Sequence, residues 1–139
     1  PRLDTVVAID GVVARATAAF DPRADRAERR RWLLATADLM AAERTSTIAL
    51  MAHEVGKTVR EGDPEVSEAI DFCRYYGTVG VDALDDAARQ GLDVTGCGTV
   101  VVVGPWNFPY AIPVGGVAAA LADDGAMLRL RTQWEKNLN

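Results

Sequence analysis

Asn107 is the residue of this 139-residue chain whose type and setting best suit chemistry. Its side-chain N–H can donate to an oxygen that gains negative charge during a reaction, provided the backbone holds it in place. It lies in the run Gly98-Thr99-Val100-Val101-Val102-Val103-Gly104-Pro105-Trp106-Asn107-Phe108, closed by Pro109. Other candidate motifs fail on spacing. Gly56-Lys57-Thr58 resembles the end of a phosphate-binding loop, but that motif needs a glycine where this chain has Met51, and it must follow a strand. His53-Glu54 lacks the second histidine of a zinc-binding H-E-x-x-H. Gly96-x-Gly98 is too short for a dinucleotide fingerprint and stands before the expected strand. Cys73 and Cys97 have no C-x-x-C spacing and no metal partners in sequence. Cys97 has no cationic neighbour that would make it a reactive thiol.

The elements around Asn107 follow from patterning. Four β-branched valines, Val100 to Val103, predict a strand buried on both faces of a parallel sheet. Gly104 and Pro105 stop it, and Tyr110 to Ala122 reads as a helix whose Gly115, Gly116 and alanines allow close packing on that sheet. Pro113 fits only the first turn of such a helix. Strand, tight loop and helix place ligand-facing groups at the carboxyl end of the strand, so the fold class expected is α/β.

Upstream, Val6, Ile9, Val13, Ala16 and Phe20 mark one face of a helix, capped by Asp4 or Thr5 and ended by Asp21-Pro22. Ala24 to Glu43 predicts a second helix with Trp32, Leu33, Ala37 and Met40, and Leu39 beside them, as its apolar stripe. Its Arg26, Glu28, Arg29, Arg30 and Arg31 read as a solvated face with intrahelical ion pairs. Thr45 or Ser46 starts a third helix that ends near Val55, with Gly56 as its stop. Asp63-Pro64-Glu65 has the form of a fourth helix start, with a capping Asp and Pro at the first position. Val66, Ile70, Cys73 and Gly77 share one face of that helix, which runs towards Leu84. Cys73 there is a small core residue rather than a nucleophile.

Pro105-Trp106-Asn107-Phe108-Pro109, followed by Ala111-Ile112-Pro113-Val114-Gly115-Gly116-Val117-Ala118-Ala119-Ala120-Leu121, resembles the NAD(P)-dependent aldehyde dehydrogenase superfamily. The resemblance implies that Asn107 belongs to an oxyanion hole and that Val103, Gly104, Pro105 and Trp106 touch the nicotinamide cofactor. Glu68-Ala69-Ile70-Asp71-Phe72-Cys73-Arg74-Tyr75-Tyr76 is similar to the members that oxidise L-glutamate γ-semialdehyde with NAD in proline breakdown. It implies that Glu68 meets the substrate ammonium, a charge-assisted contact, and that Phe108 packs on the substrate chain. A homo-oligomeric parent enzyme is implied as well.

The resemblance covers residues 1–122 as part of a cofactor-binding domain with an incomplete parallel sheet. The tail, residues 123–139, departs from it: no Lys-Pro follows Ala126 to Leu130, where the family's ribose-binding lysine is expected. Neither Cys73 nor Cys97 maps onto the family's nucleophile. The expectation is therefore a truncated or frame-shifted piece of a larger enzyme, silent on its own. The rivals are an aldehyde dehydrogenase for another semialdehyde and a non-catalytic helical module that binds a partner. A net charge of -5 argues against nucleic acid or an anionic membrane as partner. No apolar run reaches membrane-spanning length, and two isolated cysteines fit reduced thiols in a cytoplasmic protein.

Overall fold

Apolar residues at steps of three and four fold this chain into helices. The computed structural model describes residues 6–18, 25–92, 94, 96 and 98–123. Among them run α1 (Val6–Ala18), α2 (Arg26–Ala42), α3 (Arg44–Val55), α4 (Val59–Tyr75), a π-helical turn (Tyr76–Gly80), α5 (Val81–Arg89) and α6 (Ala111–Asp123). None of these helices is long and apolar enough to cross a membrane. The expected caps Asp4 and Thr5, the residues Phe20, Asp21 and Pro22, Cys97, and the tail from residue 124 lie outside the described residues.

The helix α4 is the hub of the core. Its Val66, Ile70 and Cys73 pack in one cluster with Leu33 and Ala37 of α2, Met51 of α3, and Ala118 and Ala122 of α6. Fully burying one Val, Leu, Ile or Met side chain stabilises the fold by roughly 1.5–3 kcal/mol. Small residues let the helices approach closely. A Cβ on Gly77 would stand 3.1 Å from the Cβ of Leu33, and one on Gly115 would stand 2.9 Å from Cδ2 of Phe72. In α6, Pro113 occupies the first turn, as its missing N–H requires. This helix packs on α4, the π turn and α2, rather than on a sheet.

Several expectations are corrected. The helix α4 starts at Val59, not at Asp63. Thr58 donates its backbone N–H and its hydroxyl to Glu61 Oε2, at 2.9 and 2.8 Å, which closes an earlier cap. Pro64 therefore sits inside the helix, and Asp63 pairs with Arg44 of α3 at 2.7 Å. The arginines of α2 pair between helices: Arg26 meets Asp85 at 3.2 Å and Arg30 meets Asp82, both on α5. Arg29 is buried and donates to the carbonyl of Leu121, at 3.2 Å, near the end of α6. The buried stripe of α2 is Arg29, Leu33 and Ala37, at steps of four, so Trp32 and Leu39 fall to its sides and stay exposed. Ile9 and Val13 of α1 are exposed too.

The expected strand is corrected as well. No β-strand occurs among the described residues, so the incomplete parallel sheet is not present there. A strand needs a neighbour to take its N–H and C=O groups, and the described residues supply none to Val100–Val103. Exposure instead alternates along the run. Val102 leans on α6, its Cγ1 only 2.7 Å from where a Cβ on Gly116 would stand. Val101 and Val103 are 72% and 84% exposed. The four valines form an extended segment covered on one side.

Candidate functional site

The loop that carries Asn107 is held by its backbone. Gly56, at φ 72°, ends α3 in the left-handed conformation that glycine adopts without strain. The chain then turns through Lys57 into α4. Lys57 Nζ donates to a carboxylate oxygen of Glu65, on the second turn of α4, and to the backbone carbonyl of Asn107 at 3.0 Å. It also lies 4.3 Å from the ring centre of Phe108, a cation–π contact. The other oxygen of Glu65 accepts the N–H groups of Tyr110 at 2.8 Å and Ala111 at 3.1 Å. Those two amides open α6, where a negative charge is favoured by the helix dipole.

The Glu65 side chain is 1% exposed and that of Lys57 is 11% exposed. Burial pushes the Glu65 carboxyl up. Lys57 and the N–H groups of Tyr110 and Ala111 outweigh that and hold it below its ordinary value of 4.5. The Glu61 carboxyl is also lowered, by the backbone N–H and hydroxyl of Thr58 and then by the Lys57 charge.

Around this anchor the side chains of the loop stand open. Lys57, Glu61, Pro64, Trp106, Asn107 and Phe108 wall a hollow of about 420 Å³. Asn107 is exposed, and Trp106 is 76% exposed. Glu68 lies in an adjoining hollow with Asp71, Phe72 and Tyr75, and Pro64 borders both hollows. The structure thus brings Asn107, Phe108 and Trp106 together and sets Glu68 next door. Val103, Gly104 and Pro105 are exposed and lead into the loop without lining either hollow. Gly104 is pressed on Pro113, where a Cβ would stand 2.3 Å from Cγ. Cys73 is buried, and burial pushes its thiol up, which disfavours the thiolate form. Among the described residues, no group of three or more His, Cys, Asp or Glu could hold a metal ion.

Sequence reasoning missed the pairing of Lys57 with Glu65. One signal for Glu65 was available: it stands four residues before Ala69 and beside Val66, on the apolar stripe of α4. A carboxylate within such a stripe needs partners when it is buried.

Comparison with known proteins gives the family. The aldehyde dehydrogenase family model matches residues 2–128. The bifunctional protein PutA of Salmonella typhimurium is 40% identical over 101 residues, 73% of this chain and 7% of that protein. The alpha-ketoglutaric semialdehyde dehydrogenase of Bacillus subtilis is 36% identical over 102 residues, 68% of this chain and 21% of that one. The NADP(+) succinate-semialdehyde dehydrogenase 1 of Mycobacterium ulcerans is 38% identical over 113 residues, 73% of this chain and 25% of that one. The chain therefore spans under a tenth of PutA and a quarter or less of these two dehydrogenases. No solved structure matches it. With the family model matched over nearly all of its length, the chain belongs to the aldehyde dehydrogenase family.

Proposed function

We propose that residues 1–122 belong to the cofactor-binding domain of an enzyme that oxidises L-glutamate γ-semialdehyde to glutamate with NAD. One observation carries the reading. Asn107 is held at its backbone and open at its side chain, and the next hollow carries two exposed acids, Glu68 and Asp71. Asn107 donates to the oxygen that becomes an oxyanion when the aldehyde carbon is attacked. Phe108, its ring against Lys57, packs on the carbon chain of the substrate. Glu68 takes the ammonium group. Val103 and Trp106 offer exposed apolar surface, with Gly104 fixed on Pro113, which suits the flat face of a nicotinamide ring. NAD held there would supply the acceptor for the hydride.

Two relatives named for semialdehydes support the reaction class. Succinate and α-ketoglutaric semialdehydes carry a carboxylate and no amino group, so a hollow with two acids disfavours them. The test is Glu68→Ala in an intact relative into which residues 6–121 of this chain have been grafted. The expected result is a loss of at least tenfold in kcat/KM for L-glutamate γ-semialdehyde, with succinate semialdehyde unchanged. An equal loss on both substrates would refute the assignment of Glu68. Faster turnover of succinate semialdehyde by the unmutated graft would refute the substrate.

A further inference from the structure

We propose that Lys57 and Glu65 are a positioning pair that sets where Asn107 presents its side chain, an inference that rests on the role proposed for Asn107. Four of the loop's contacts converge on this one pair. Lys57 holds the carbonyl of Asn107 and the ring of Phe108, and Glu65 holds the amides of Tyr110 and Ala111. The stretch from Asn107 to Ala111 is thus fastened at both ends. At Trp106 and Asn107 packing does little of this work, because both are exposed, whereas Tyr110 packs against the core and Ala111 is buried.

An ion pair kept for stability alone would not need these atoms. Apolar residues of similar volume often stabilise a core as well as a buried ion pair does, but they could neither hold the Asn107 carbonyl nor cap α6. A donor aimed at a developing oxyanion must be held before the charge appears, and its backbone is what fixes it. The pair touches no reacting atom in this reading and acts through Asn107.

The test is NMR of the complete 139-residue chain, with ¹⁵N labelling, as Lys57→Met, Glu65→Gln and Glu65→Ala. Lys57→Met is expected to shift the Asn107 side-chain amide and Phe108 backbone signals and to leave those of α3 before Val55 unmoved. Glu65→Ala is expected to speed hydrogen exchange at Tyr110 and Ala111 at least tenfold relative to the amides of α4. Glu65→Gln keeps an oxygen for both amides, so it is expected to restore slow exchange there without restoring the Asn107 signal. Loop signals unmoved in folded Lys57→Met would overturn the proposal, as would a uniform rise in exchange across all helices. If Lys57→Met does not fold, Lys57→Gln carries the same readout. None of these signals needs turnover. A loop that responds as expected, beside a graft of residues 6–121 that is inactive on every aldehyde, would count against the function alone, and an active graft beside an indifferent loop against the pair alone.

Discussion

Removing the Lys57 ammonium should change how the stability of the chain depends on pH, and the sign of that change follows from Glu65. In the unaltered protein the Glu65 carboxyl lies below its ordinary 4.5. It therefore contributes stability that is fully present above the unfolded value and is lost as pH falls through the folded one. Lys57→Met removes the ammonium and leaves the burial. The carboxylate then keeps only the Tyr110 and Ala111 amides. Breaking a buried pair from one side costs about 3–5 kcal/mol. The two amides that remain, and the escape open to the carboxyl by taking up a proton, bring the expected loss at pH 7 to about 2–3 kcal/mol. Burial, already the largest single influence, then has only those two amides against it, so the folded Glu65 is expected to rise above 4.5 and the variant to gain stability as pH falls from neutrality towards that value. The gap between the two proteins should narrow by up to about 1.4 kcal/mol per pH unit in that window. Urea unfolding of both chains at pH 7, 6, 5 and 4 measures it. A variant within 0.5 kcal/mol of the parent at pH 7, or a gap that stays constant on acidification, would show that Lys57 does not hold the charge of Glu65.

Gly115→Ala should gain about 1 kcal/mol in helix propensity and lose about 1–3 kcal/mol to overpacking against Phe72. A net loss of about 1 kcal/mol by urea unfolding is expected, partly recovered by adding Phe72→Leu; a more stable single variant would mean that the ring moves aside at no cost. The chain by itself should be silent, because the reaction also needs an acylating thiolate and a base, and the Cys73 thiol is buried and pushed up. Aldehyde-dependent NADH formation by the purified chain would disprove this.

Much of the helical frame was legible in the sequence, because its signals are local. Gly56 closes α3 and Pro113 sits in the first turn of α6, as the spacing predicts. The fourth helix was misplaced because two start signals compete: Thr58 with Glu61, and Asp63 with Pro64. The pair that captures two donors on one carboxylate oxygen prevails. The four valines were misread for a different reason. A β-branched run records fitness for a pleated surface, and whether a second strand is present is not written in the run itself. Asn107 and Phe108 were found through their motif, but the ion pair behind them was not. Lys57 reaches a carbonyl 50 positions away and Glu65 an amide 46 positions away, and no window of neighbouring residues contains such a contact.

The π-helical turn from Tyr76 to Gly80 has a geometric consequence for the far side of the molecule. One residue added to a helix advances its phase by about 100°. The turn works as one such addition, so α5 is rotated by more than a quarter of a revolution from where an uninterrupted α4 would have carried it. In the phase it has, Asp82 and Asp85 face the arginines of α2, and Val81 turns into the core. The composition of α5 supplies the acids, but the count of residues before it determines which way they point.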